Sequence, residues 1–199
     1  MSADIGLRST PWMSEAETEC FRRWIPYGGI ALEFGCGGST KFFFESGIYE
    51  LYSVESDQNY LEKVKRDKFL AHFIRKNKLH LFHADIGPVG DYGMPTTEPT
   101  VKWLNYHSAI WSAMDGRKIH FVLVDGRFRV SCALQTILHC DEDVKIFLHD
   151  FTNRPHYRPV MKFVDICDTA DTAVVLSVKE NVNYRKLALE LQKMQFVAE

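Results

Sequence analysis

Five short apolar segments recur along the chain, at intervals too long for hairpins: GIALEF, LYSVES, LHLFHAD, IHFVLVDG and VKIFLHD. Nearly continuous runs of this kind are typical of parallel strands that helices cover on both faces, so the sequence predicts an α/β fold. Each segment has an acidic residue at its C-terminal edge or just past it, namely Glu33, Glu55, Asp85, Asp125 and Asp150. Because open parallel sheets bind ligands at the carboxyl ends of their strands, these acids predict the rim of one crevice.

The first apolar segment runs into a glycine-rich stretch, ALEFGCGGST, that predicts a strand, a turn and a helix. Glycine lets a ligand approach the backbone closely, and a helix N-terminus presents unpaired N–H groups. A dinucleotide fits this pattern, with Glu55 about 20 residues beyond Gly35 to bind the ribose. A cationic ligand fits better if Glu33 faces the loop, because that carboxylate would repel a diphosphate.

Three of these motifs together resemble the S-adenosylmethionine (SAM) site of class I methyltransferases: E-F-G-C-G-G, the strand ending SVES and the strand ending HAD. The resemblance covers most of the chain. The segments HADIGPVGDYGMP, VLVDGRFRVSCAL and FLHDFTNRPHYRPV narrow it to a group of small bacterial members that largely lack assigned substrates. It implies one domain over residues 1–199, with a Rossmann-like, mostly parallel seven-stranded sheet in the order 3-2-1-4-5-7-6, an antiparallel last strand and helices on both faces.

The resemblance also implies a SAM site, with S-adenosylhomocysteine as the product. In the family the glycine loop passes under the methionine and ribose, the acid ending the second strand binds the ribose hydroxyls, and an acid after the third strand lies beside the adenine. Ile86 is expected to cover the adenine, and Cys36 to fill the loop rather than act as a nucleophile. The predicted cofactor residues are Glu33, Gly35, Cys36, Gly37, Gly38, Glu55, Ser56, Asp85, Ile86 and Asp125.

Methyl transfer needs an aligned acceptor and often a base, and the candidates for catalysis are Asp125, His149 and Asp150. Four arginines lie near the same rim, where they could bind an anionic acceptor or, equally, balance the acids. They are Arg127, Arg129, Arg154 and Arg158. A divalent metal on Asp125, Asp150 and Asn153 is the less favoured alternative, because LHDFTN lacks the acid pattern expected of metal-dependent relatives, so we predict no metal ligands.

The resulting hypothesis is a SAM-dependent methyltransferase acting on a small acceptor. In its more specific form, the acceptor carries an anionic group and is methylated at oxygen. One alternative is a SAM-binding protein without catalysis that senses the cofactor or serves as a scaffold. A less favoured alternative is an NAD-dependent dehydrogenase.

Charge and cysteine content limit the partners and the compartment. The 199 residues include 24 basic and 26 acidic side chains, a net charge of −2, which does not draw a protein to nucleic acid or membranes. The five cysteines form no C-x-x-C pair, and MSADIGLRST has no signal-peptide core, so a reducing cytoplasm is expected. The expected partner is a small-molecule acceptor; nucleic acid is disfavoured, no membrane is expected, and a homodimer is compatible with the sequence.

Three further elements are predicted. Residues 1–28 form an N-terminal helical segment that begins either at Thr10–Pro11 or at a Ser14–Glu17 capping box. The breaker-rich stretch Ile86–Thr100 is a candidate lid or substrate loop. Ala173–Val178 is a strand, and YRKLALELQ is a strand or a helix by its pattern and the seventh strand by the resemblance.

Overall fold

A computed structural model describes residues 7–114 and 116–199 and contains one seven-stranded sheet. The strands are β1 (Ile30–Phe34), β2 (Glu50–Glu55), β3 (Leu79–His83), β4 (Phe121–Val124), β5 (Lys145–Leu148), β6 (Val164–Ala170) and β7 (Ala173–Val178). Their order is β3-β2-β1-β4-β5-β7-β6, and β7 is antiparallel to both of its neighbours. The predicted fold class and strand order are confirmed.

Helices cover both faces of this sheet. The first four are α1 (Glu15–Trp24), α2 (Gly38–Glu45), α3 (Gln58–Arg66) and α4 (Lys68–Arg75). The last four are α5 (Leu104–Ser108), α6 (Ile110–Ala113), α7 (Arg129–His139) and α8 (Tyr184–Met194). Alternate strand residues point to opposite layers, so Ala31 packs with the first four helices while Leu32 and Phe34 pack with the others. Burial on both faces explains why the strands read as apolar runs.

Local capping decides where the helices of the first layer begin and end. The helix α1 is capped by Ser14, whose hydroxyl accepts from the Glu17 amide while the Glu17 carboxylate accepts from the Ser14 amide. This is the predicted capping box, and the alternative start at Thr10–Pro11 is wrong. Between β2 and β3, Asp67 ends α3 and caps α4, which gives two short helices rather than one.

The C-terminal part of the chain differs from the prediction. YRKLALELQ lies within α8, which Asn183 caps, and the strand that sequence reasoning missed is β6. The strand β6 lies at the edge of the sheet and exposes Asp165, Ile166 and Cys167, so it shows no apolar run. An edge strand has one neighbour and one open side, which removes the burial that made the other strands visible.

The loop Ile86–Thr100 has some internal order. An isolated antiparallel bridge joins Val89 and Pro95, and a 3₁₀ turn spans Asp91–Gly93. Its role as a lid stays a prediction. Within residues 7–114 and 116–199, no helix is both long and apolar enough to cross a membrane.

Candidate active site

A cleft of about 520 Å³ opens at the carboxyl ends of β1, β2, β4 and β5. Its floor is the glycine loop, Gly35 to Gly38, and its walls come from the residues that follow the other strands. The chain crosses from one helical layer to the other at this end of the sheet, which leaves a gap between the loops. A crevice therefore lies at the predicted edge of the sheet, and three of the five acidic strand ends line it: Glu55, Asp125 and Asp150.

Backbone packing explains why the floor needs glycine. Gly35 has a positive φ of 97°, and a Cβ on it would lie 2.7 Å from the Cα of Gly126. A Cβ on Gly126 would in turn clash with the hydroxyl of Tyr106. The loops after β1 and β4 thus touch through their backbones. The helix α2 begins at Gly38 and points its N-terminus at the cleft, where the first N–H groups of a helix have no partner within it.

The segment before α1 forms one wall of the cleft. Arg8, Thr10, Pro11 and Trp12 line it, and a Cβ on Gly38 would clash with the carbonyl oxygen of Thr10. The guanidinium of Arg8 stacks 4.5 Å from the ring centre of Trp12. Sequence reasoning missed these residues, because the segment reaches the glycine loop through tertiary packing that leaves no local pattern.

The carboxylate of Glu55 lies beside the glycine loop and is satisfied on one oxygen only. Its Oε1 accepts from the amides of Ser56, at 2.7 Å, and Asp57, at 2.9 Å. Among the described residues, its Oε2 meets only the thiol of Cys36, at 3.7 Å. The side chain is 8% exposed and lines the cleft, and burial raises its pKa above the ordinary value. A buried carboxylate with a free oxygen is set to accept hydrogen bonds from a ligand.

Glu33 does not face the cleft, which corrects the role expected for it. The residue is fully buried beneath the loop and accepts hydrogen bonds from the hydroxyls of Ser39, at 2.8 Å, Ser53, at 2.7 Å, and Thr40. Burial raises its pKa to about 7, although the three hydroxyls act in the opposite direction. Glu33 braces the loop against β2, and it gives no argument for a cationic ligand.

Asp85, Ile86 and Ser56 also lie outside the lining that the described residues form. Asp85 is paired with Lys102 at 2.8 Å, and Ile86 is fully buried in the core. The hydroxyl of Ser56 points to Glu55 and to the carbonyl of Gly93. The wall near Glu55 is instead built by Tyr92 and Gly93, from the loop after β3.

His149 lies between two carboxylates at the ends of β4 and β5. Its Nδ1 is 2.7 Å from Asp125 Oδ1 and its Nε2 is 3.3 Å from Glu17 Oε2. Because ionised carboxylates only accept, the two contacts together favour the form in which both ring nitrogens carry hydrogens. Burial lowers the pKa of His149, but the hydrogen bond to Asp125 and the charges of Asp125, Asp150 and Glu17 outweigh burial and raise it. These carboxylates favour the protonated form of His149, and Glu17, on α1, belongs to the site although sequence reasoning assigned it only a capping role.

Three of the four predicted arginines lie near the same strand ends, and the fourth does not. Arg129 bridges the acids, 3.4 Å from Asp125 and 3.0 Å from Asp150. Arg154 pairs with Asp150 at 3.1 Å, and Arg127 lines the cleft. Arg158 is exposed and does not contribute to the lining that the structure describes.

Arg129 bridges Asp125 and Asp150, two members of the alternative metal set. Among residues 7–114 and 116–199, no group of three or more His, Cys, Asp and Glu side chains could hold a metal ion. Asn153, the third member of the alternative metal set, is exposed.

Neither a protein-family model nor a curated protein matches the chain. Among solved structures, a methyltransferase-like protein from Silicibacter pomeroyi is similar over 96% of this chain and 100% of its own, with 27% identity and a TM-score of 0.77. A putative methyltransferase, yhhF of Escherichia coli, is similar over 85% of this chain and 88% of its own, with 10% identity and a TM-score of 0.53.

A third solved structure contains ligands. The T. thermophilus 16S rRNA N2 G1207 methyltransferase, in complex with AdoMet and guanosine, is similar over 88% of this chain and 45% of its own, with 14% identity and a TM-score of 0.55. At 10% and 14% identity, the last two likenesses concern the fold alone. Together these structures confirm the resemblance to class I methyltransferases that the sequence motifs indicate.

Proposed function

We propose that this protein is a SAM-dependent methyltransferase that methylates an oxygen atom of a small acceptor carrying an anionic group. The observation that supports this best is the half-satisfied carboxylate of Glu55 beside the glycine loop, on a sheet with the strand order of methyltransferases. The likeness to a methyltransferase-like protein over nearly the whole chain supports the reaction class.

The residues of the cleft fit SAM well. The free oxygen of Glu55 would accept from the ribose hydroxyls, and the backbone of Gly35 to Gly38 would pass close to the ligand. Bound SAM would supply an electrophilic methyl group on a sulfonium ion. The carboxylates of Glu55, Asp57, Asp125 and Asp150 line the cleft together with Arg8, Arg127 and Arg129, so the lining carries charges of both signs.

Asp125 is the best candidate for the base that takes a proton from an acceptor hydroxyl. Both contacts given above, from His149 and Arg129, are to its Oδ1, so among the described residues Oδ2 has no partner. Two cations on one oxygen hold the carboxylate in place on the cleft wall. His149 is the weaker candidate for the base, because the carboxylates on either side of its ring favour the form with hydrogens on both nitrogens. We therefore assign His149 a positioning role and Asp125 the proton-accepting role.

The cofactor assignment is tested by isothermal titration calorimetry of S-adenosylhomocysteine and NAD with the wild type, Glu55→Gln and Glu62→Gln. Glu62 is a partly exposed residue of α3 that pairs with Lys65 and does not line the cleft, so it is the matched control. Losing hydrogen bonds to a charged acceptor weakens binding by about 10- to 100-fold. We expect that loss for Glu55→Gln with S-adenosylhomocysteine, and unchanged binding for the control. Binding of NAD alone, or of neither ligand, would refute the proposal.

Catalysis is tested separately from binding. Small hydroxyl compounds with a carboxylate or phosphate group are screened with SAM, and S-adenosylhomocysteine release is followed by mass spectrometry. We expect an acceptor-dependent release that Asp125→Asn reduces by about 100-fold or more while S-adenosylhomocysteine still binds. Tight cofactor binding with no release for any acceptor would instead support a sensor or scaffold.

A further inference from the structure

The arginines around the cleft differ in how fully their guanidinium groups are used. Arg129 is buried, donates from Nε to the carbonyl of Gly126 at 2.9 Å and from Nη1 to the carbonyl of His149 at 2.8 Å, and pairs with both aspartates. Arg154 donates to Asp150 at 3.1 Å and to the hydroxyl of Tyr157 at 3.0 Å. The guanidinium groups of these two arginines thus have hydrogen-bond and ion-pair partners within the protein.

The guanidinium of Arg127 lacks comparable partners among the described residues. It lines the cleft, its Nε is buried without a hydrogen-bond partner, and no carboxylate of the described residues lies within 4.0 Å of its guanidinium. Its charged neighbours are Arg129 and Arg154, and its backbone amide donates to the hydroxyl of Tyr106 at 3.2 Å. Burial, together with the charge of Arg129, lowers the pKa of Arg127. An unpaired cation in this position costs stability until an anion reaches it.

We propose, building on the function above, that Arg127 binds the oxyanion of the acceptor, a carboxylate or a phosphate. A guanidinium presents parallel N–H donors that match two oxygens of such a group. Arg127 directly follows Asp125 and Gly126 at the end of β4, on the same wall as the proposed base. The acceptor would thus be anchored two residues from the group that takes its proton, which aligns the reacting hydroxyl.

The test uses four proteins: wild type, Arg127→Gln, Arg127→Lys and the control Arg158→Gln, whose arginine is exposed. Thermal unfolding is measured with inorganic phosphate and with acetate, each against sodium chloride of equal ionic strength, with and without saturating S-adenosylhomocysteine. At a tenfold excess over its Kd, an oxyanion should raise the midpoint by about 3 to 6 °C. We expect this shift for the wild type and the control, less for Arg127→Lys and none for Arg127→Gln.

Three results would overturn the proposal. One is a shift for Arg127→Gln equal to that of the wild type, because the anion would then bind elsewhere. Another is no shift for the wild type with either probe. The third is loss of S-adenosylhomocysteine binding in Arg127→Gln, since the guanidinium would then hold the carboxylate of the cofactor. If the wild type itself fails to bind S-adenosylhomocysteine, the proposed function fails, whereas the measurements without that ligand still decide whether Arg127 is an oxyanion site.

Discussion

The carboxylate of Glu17 links the start of the chain to the cleft, and replacing it tests that link. Its Oε1 accepts from the amide of Thr172 at 3.0 Å and from the Thr172 hydroxyl, and its Oε2 accepts from the amide of Ser14 at 2.9 Å and faces His149. Burial alone would raise the pKa of Glu17. The hydrogen bonds from Thr172 and Ser14 and the charge of His149 outweigh burial and lower the pKa to about 2.

The size and sign of the effect follow from this pKa. An ordinary glutamate in the unfolded chain has a pKa of 4.5, so the native state favours the ionised form by about 3 kcal/mol. Because the pKa falls on folding, this stability is fully present above pH 4.5 and is lost as the pH falls towards 2. Glu17→Gln should therefore lower the free energy of unfolding by about 2 to 3 kcal/mol at pH 7, and by much less at pH 3.

Urea unfolding from pH 7 to pH 3 measures this difference, with Glu19→Gln as the control on the same helix. Glu19 is exposed and pairs with Arg22 at 3.7 Å, so its replacement should cost less than about 0.5 kcal/mol. A loss for Glu17→Gln that is the same at every pH would refute the electrostatic argument. A loss no larger than that of the control would refute the role of Glu17 altogether.

Three other predictions concern the strand ends. Because the pKa of Glu33 is raised to about 7, its ionisation should lower the free energy of unfolding as the pH rises from 4.5 to 7. Urea unfolding should show this decrease for the wild type and not for Glu33→Gln. Gly126→Ala should lose S-adenosylhomocysteine binding in calorimetry, because its Cβ would clash with Tyr106 and push the loop into the cleft. NMR titration should find the pKa of His149 above 6.5 and lower in Asp125→Asn, whereas an unchanged value would contradict the ion pair.

Burial on both faces is what made most of the sheet predictable. The strands β1, β2, β4 and β5 are covered by two helical layers, so their sequences are apolar regardless of side-chain direction. The edge strand β6 has no such signal, and only pairing with β7 makes it a strand. The strand order itself came from the resemblance, since periodicity does not reveal which strands are neighbours.

The site was predictable only in part, because a residue at a strand end can point into the cleft, into a layer or to solvent. Glu33 lies opposite Ser53 in the register of β1 and β2 and points into the helical layer, whereas Glu55 reaches the cleft. Ile86 turns into the core and Asp85 turns to Lys102. Such choices depend on tertiary packing, which a motif does not specify.

The bonds between Glu17 and Thr172 join residues 155 positions apart. Closing so long a loop is entropically costly, and contacts of this separation form after the local elements are in place. We therefore expect the docking of α1 on the β6–β7 turn to be a late event in folding, and its release an early event in unfolding. Since the same carboxylate faces His149, a molecule whose first helix has briefly detached has also lost one of the two anions that hold the histidine. The docking of α1 thus also completes the surroundings of His149 at the cleft.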